Sequence, residues 1–142
     1  MARGMPCTCG LRGHCLSTCH DNRNDSTAPF MQETITALIL TFNEEKHIDR
    51  CLRSLAGIAS QVVVIDCGST DQTVAICRAH GAEVHVNPWK NYSSQFNWGL
   101  DHGGIRGHWC LRIDADEYLS EPLRAALRDR VVAGLVPKDL VG

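Results

Sequence analysis

The sequence predicts an α/β fold, a mostly parallel sheet whose strands alternate with helices. Two observations predict it. Short apolar runs rich in β-branched residues alternate with segments whose apolar residues recur at helical spacing. Three of those runs also end in polar motifs: Ile35–Phe42 in Asn43-Glu44-Glu45, Gln61–Ile65 in Asp66-Cys67-Gly68-Ser69-Thr70-Asp71, and His108–Ile113 in Asp114-Ala115-Asp116-Glu117. Carboxyl ends of parallel strands share one rim, and ligands bind there. Three polar clusters on one rim therefore predict a single carboxylate-rich site.

Ile35–Phe42 (ITALILTF) is the nearly continuous apolar run of a strand buried on both faces. Asn43 is placed to cap the next helix, with Glu44 and Glu45 at its positive end. Ile48, Cys51, Leu52 and Leu55 then mark one helix face, closed by Gly57. Val62–Ile65 makes the second strand. Ser69 and Gln72 read as a capping box for a helix over Val74–Cys77, with Asp71 in its first turn and Gly81 past its end.

Glu83–Asn87 reads as a short strand with Val84 and Val86 on one face, and residues 88–92 as a loop. Ser93 or Ser94 starts a short helix containing Phe96, Asn97 and Leu100, ended by Gly103-Gly104. The strand His108–Ile113 follows. Ser120-Glu121-Pro122 opens a last helix with Leu123, Leu127 and Val131 on one face.

At 142 residues the chain is long enough for one domain with a sizeable core. It is 44% hydrophobic and 21% charged, with net charge −2 and no basic run, so no nucleic-acid partner is expected. No apolar stretch is long enough to span a bilayer, and no secretory signal is recognisable. The expected compartment is the cytoplasm.

Residues 1–30 are rich in Gly, Cys, Arg, Asn, Asp and Ser, show no sustained period, and read as a disordered leader. Met31 directly precedes the first strand and is the expected natural start. Cys7, Cys9, Cys15 and Cys19 crowd the leader with His14 and His20, but the Cys-x-Cys and Cys-x-x-x-Cys spacing is not a usual zinc pattern. Cys51, Cys67, Cys77 and Cys110 fall in or beside predicted elements and read as small hydrophobes. Histidines 47, 80 and 102 read as surface residues.

Each rim motif has a plain reading and a chemical one. Asp114 and Asp116, alternate residues leaving a strand, can aim two carboxylates into one cleft. That suits a hard cation, Mg²⁺ or Mn²⁺, sharing its oxygens with substrate phosphates. An isolated Asp-x-Asp is usually a solvated turn; its place on the rim favours the metal. Asp66 at a strand tip can accept a uracil imide N–H or bond a ribose hydroxyl, and Gly68 allows a tight turn. Asn43 and Glu44 can equally be ordinary helix-start residues. Asn97 sits mid-helix against its propensity. Trp89 and Tyr92 can stack on a base or sugar.

The run Thr41-Phe42-Asn43-Glu44-Glu45, then Val64–Thr73 (VIDCGSTDQT), Gln95-Phe96-Asn97 and Asp114-Ala115-Asp116-Glu117 resembles family 2 glycosyltransferases of GT-A fold. The likeness runs from about Thr34 to Leu127. Its spelling is similar to the branch that builds lipopolysaccharide core or related cell-envelope glycans. The resemblance implies a nucleotide-diphospho-sugar donor, with a UDP-sugar favoured, and a glycan or lipid-linked acceptor. It implies inversion at the anomeric centre and peripheral association with the inner face of a membrane. It places Thr41, Asn43, Glu44, Gly68 and Ser69 near the nucleotide, Asp66 on the base, and Asn97 close to the donor. Asp114 and Asp116 would hold the sugar nucleotide through the metal.

Cys67 stands where the family often has Asp or Ser. The family's acceptor half and general base follow the Asp-x-Asp strand, where this chain has one predicted helix and the tail 135–142. The expectation is a truncated donor-binding domain over residues 31–134, with its catalytic base absent. The alternative class is a non-catalytic nucleotide-binding remnant or a partner-dependent subunit. A sugar nucleotidyltransferase would want a Gly-rich basic loop where Thr41–Lys46 (TFNEEK) stands, and no Gly-x-Gly-x-x-Gly marks a dinucleotide domain.

Overall fold

The computed structural model of the chain describes residues 33–133. The expected leader, with its Cys/His cluster, and the tail 135–142 lie outside the described residues.

All seven residues of β1 (Ile35–Thr41) are buried, as its apolar run requires. The chain continues through α1 (Ile48–Leu55), β2 (Gln61–Asp66), α2 (Thr73–Ala79), β3 (Glu83–Val86), α3 (Tyr92–His102), β4 (Trp109–Asp114) and α4 (Glu121–Ala133). The four strands pair in parallel in the order β3-β2-β1-β4. The chain thus steps outward from β1 to β3, and α3 returns it to the far side of β1. Such a reversal opens a crevice between the carboxyl ends of the two strands that flank it, β1 and β4. The register aligns the polar strand ends there: Thr41 lies opposite Asp66, and Leu40 opposite Asp114.

Because side chains alternate along a strand, the buried sheet feeds two cores. Ile35, Ala37, Ile39 and Val64 pack with Ile48, Cys51, Leu52 and Leu55 of α1, Cys77 of α2, and Leu127 and Val131 of α4. Leu38, Leu40, Val63 and Ile65 face Phe96 and Trp98 of α3 on the other side. α3 approaches closely because Gly99 has no side chain. A Cβ there would lie 2.9 Å from Ile65 Cγ1 and 3.0 Å from Leu38 Cδ1.

Burial pushes the Cys51 thiol up to about 12 and the Cys77 thiol up to about 11, so both behave as apolar residues. Cys110 departs from that expectation. It and Arg112 lie exposed on β4.

The expected caps also move. α1 begins five residues beyond Asn43, with His47 at its N-cap position, and Asn43 adopts a left-handed φ of 53°. α2 begins at Thr73, and Gln72 makes no side-chain cap bond, so Ser69 and Gln72 form no capping box. α3 is capped by Asn91, whose Oδ1 accepts from Ser94 N at 2.8 Å. In each case the short polar side chain has a stronger partner or a nearer N–H than the helix start assumed from sequence.

Candidate functional site

The β1–α1 and β2–α2 loops are joined by side-chain-to-backbone bonds. Asn43 N donates to Ser69 Oγ, and Asn43 Oδ1 accepts from Thr70 N, both at 2.8 Å. Glu44 N donates to Thr73 Oγ1 at 2.8 Å, and Glu45 Oε2 accepts from Gln72 N at 3.1 Å. Asp71 Oδ1 accepts from Thr73 N and Oγ1 at 2.9 and 2.5 Å. Partial burial raises the Asp71 pKa, and those bonds outweigh it, leaving the carboxyl below its ordinary value.

Asp66 organises the β2 tip. Its Oδ1 accepts from Thr41 Oγ1 at 3.0 Å and Ser69 Oγ at 2.5 Å, and its Oδ2 from Gly68 N and Ser69 N at 2.8 Å each. A carboxylate has about four acceptor positions. All are filled, three from its own loop and one from Thr41 of β1, and Asp66 is 1% exposed. The carboxylate turns into the protein. Gly68 supports the tight turn with φ of 98°.

A cavity of about 670 Å³ opens at the ends of β1 and β4. Thr41 and Glu44 line it from the β1 side, Asp114 and Asp116 from the β4 side, and Cys67 from the β2 tip. Phe42, Trp89 and Tyr92 supply aromatic walls and are 57%, 48% and 63% exposed. Trp89 meets Tyr92 edge-on, with ring centroids 4.8 Å apart. An adjoining polar hollow of about 340 Å³ is lined by Asn43, Asp71 and, again, Glu44 and Asp116. Of the expected site residues, Thr41, Glu44, Asp114 and Asp116 thus meet at one cavity, whereas Asn43, Asp66, Gly68 and Ser69 form the network supporting it. Asn97 is exposed on α3 and does not line the cavity.

The Asp114–Asp116 turn is held from several sides. Asp114 N donates to Glu117 Oε2 at 3.1 Å, and Glu117 N returns a bond to Asp114 O at 3.0 Å. Arg50 Nη2 donates to Asp116 O at 3.1 Å, its guanidinium lying 4.4 Å from the centre of the Tyr118 ring. Arg112 Nη2 approaches Asp114 Oδ1 at 3.4 Å. Among the described residues no cluster of three or more His, Cys, Asp or Glu side chains could cage a metal. Two carboxylates on a roomy cavity fit the other arrangement, a hard cation that takes its remaining oxygens from a phosphate ligand and water.

Sequence reasoning gave no role to Arg50, Phe42 or Gln95. Arg50 acts through a contact 66 positions away, which no local pattern announces. Gln95 was visible only as part of a motif, yet it is a fully buried polar residue; glutamine is an ordinary helix former, so no local pattern marks it.

The comparisons agree with this geometry. The description of Glycosyl transferase family 2 matches residues 36–130. An uncharacterised glycosyltransferase of Rickettsia bellii is 40% identical over 94 residues, 66% of this chain and 31% of that protein. The lipopolysaccharide core biosynthesis glycosyltransferase LpsC of Rhizobium meliloti is 34% identical over 104 residues, 70% of this chain and 37% of its own. Glucosyl-3-phosphoglycerate synthase from Mycobacterium tuberculosis, solved with uridine diphosphate, superimposes with a TM-score of 0.52 at 26% identity, covering 78% of this chain and 41% of that one. The sheet order and rim cavity accordingly belong to a GT-A fold. The chain spans about a third of the length of the first curated relatives it matches. The strand-end motifs that meet at the cavity all fall inside the matched segment, and the chain belongs to glycosyl transferase family 2.

Proposed function

We propose that this chain forms the donor-binding part, over residues 31–134, of an inverting glycosyltransferase, with residues 1–30 a leader and 135–142 a tail. The donor is a nucleotide-diphospho-sugar, a UDP-sugar by preference, and the acceptor a glycan or lipid-linked glycan of the cell envelope. The work is done in the cytoplasm at the inner face of a membrane. No described helix is long and apolar enough to cross one. The observation that carries the donor reading is the meeting of Asp114 and Asp116 with the Trp89 and Tyr92 rings around one cavity at the β1/β4 crevice. LpsC, named for lipopolysaccharide core biosynthesis, supports the envelope acceptor.

Asp114 and Asp116 would hold Mg²⁺ or Mn²⁺, and that ion would supply charge stabilisation on the departing diphosphate. The aromatic walls offer stacking surfaces for the base or sugar. Thr41, Asn43, Glu44, Gly68 and Ser69 would shape and support the nucleotide side, with Asp66 fixing the loop from beneath. Asn97, exposed on the helix whose first residue, Tyr92, lines the cavity, would lie close to the donor. In transfer, an acceptor hydroxyl oxygen forms a bond to the anomeric carbon as the bond to the diphosphate oxygen breaks. The hydroxyl proton passes to a general base, a role given to no residue described here.

Titration of UDP into the full chain tests this reading. Binding heat with Mn²⁺ that largely disappears in EDTA is expected. Equal heat in both conditions, or none in either, would remove the metal-nucleotide site.

A further inference from the structure

Gln95 is 0% exposed and lies on α3, between two segments that wall the cavity. An amide side chain has two N–H donors and one carbonyl acceptor. Gln95 Nε2 donates to Cys67 Sγ at 3.2 Å and to Asn87 O at 2.9 Å, while its Oε1 accepts from Asn87 Nδ2 at 2.7 Å. Asn87 N in turn donates to Asp66 O at 2.9 Å. One side chain therefore ties the β2 tip, where Cys67 faces the cavity, to the β3–α3 loop that runs on to Trp89.

We infer that Gln95 is a positioning residue that sets the distance between the Cys67 wall and the Trp89 wall of the cavity, and so fixes the width available to the base of a nucleotide. The base contact rests on the donor-site reading above; the holding of the two walls does not. Gln95 spans from a rigid helix to both walls at once, and leucine of similar volume keeps its packing and loses all three bonds. Methionine, unbranched like glutamine, also loses all three bonds and sets no charge beside the thiol. The Cys67 thiol reports on the wall directly. It is half-buried, and burial and the Asp66 charge push its pKa up more than the Gln95 donor lowers it, so it reacts slowly while the wall is held. Cys110, exposed on β4, supplies an internal control.

The test compares the full unaltered chain with Gln95→Leu and Gln95→Met, each well below its melting midpoint. Alkylation rates by N-ethylmaleimide are resolved peptide by peptide at Cys51, Cys67, Cys77 and Cys110, and UDP affinity is measured with Mn²⁺. We expect UDP to protect Cys67 in the unaltered chain. In both variants the Cys67 rate should rise several-fold against a constant Cys110 rate, and UDP affinity should fall about tenfold. An unchanged ratio of the Cys67 and Cys110 rates would overturn the inference, as would an equal rise at the buried Cys51 and Cys77, which signals general loosening. If Gln95→Leu fails to fold, the ratio in Gln95→Met decides. Absence of UDP binding by the unaltered chain would instead sink the donor-site reading, and the rate ratio would still decide whether Gln95 holds the walls.

Discussion

Ser69 Oγ donates to Asp66 Oδ1 at 2.5 Å, and the same Ser69 gives its backbone N–H to Asp66 Oδ2 at 2.8 Å. The carboxylate is thereby gripped on both oxygens by one residue three positions on. The β2 tip is held in shape before any ligand arrives.

Asp66→Asn should therefore act on stability. It removes the charge from four hydrogen bonds and turns an NH₂ toward N–H or O–H donors, at a cost of about 2–3 kcal/mol. Ser69→Ala removes one of those bonds and the acceptor for Asn43 N, costing about 1 kcal/mol. Chemical denaturation of the single and double variants checks this. The double variant should lose less than the sum, because both substitutions act on the Ser69 Oγ bond to Asp66.

Gly99→Ala should destabilise the protein despite the better helix propensity of alanine, about 1 kcal/mol in an open helix. The new Cβ meets Ile65 and Leu38 at about 3 Å, and overpacking of this kind costs about 1–3 kcal/mol. Leu38→Ala alone should cost about 2–5 kcal/mol. Combined, the two should be less damaging than their sum, because the shortened side chain makes room for the methyl group. Thermal melts of the three variants give the coupling.

Asp116→Asn should weaken UDP binding about tenfold when Mn²⁺ is present, while leaving the small residual affinity in EDTA unchanged. Asp116 is exposed, so the melting temperature should stay close to that of the unaltered chain. Calorimetry in the two buffers separates the outcomes. An equal loss in EDTA would mean that Asp116 acts on the nucleotide without a metal.

Acid should loosen the rim opposite the cavity. The hydrogen bond from Arg106 holds the Glu83 carboxyl below its ordinary value of 4.5, and Gln61 adds to the effect. With the folded value depressed, the stabilisation is present above pH 4.5 and is lost as pH falls below it through the folded value. The melting temperature of the unaltered chain should fall more steeply on acidification through that window than that of Glu83→Gln. Superimposable slopes would show that this ion pair contributes nothing.

The sequence by itself determined the alternation of strands and helices, the parallel sheet and the gathering of strand-end motifs on one rim. Those follow from apolar periodicity and β-branched runs, which are local and survive any detail of packing. That Thr41, Glu44, Asp114 and Asp116 would line one cavity was legible for that reason: each stands at or just beyond a strand end, and strand ends share a rim. The tertiary structure alone decided which of the remaining polar residues face the cavity. Asp66 and Cys67 are neighbours in sequence, and the pleat turns one inward to four donors and the other outward to the cavity. Asn43 and Ser69 looked like helix caps because short polar side chains favour N-termini. In the fold they bond to each other's loops, 26 residues apart in sequence, and the helices start elsewhere. Local propensity cannot weigh a bond to a partner that only folding brings within reach, and for Gln95 every decisive partner is of that kind.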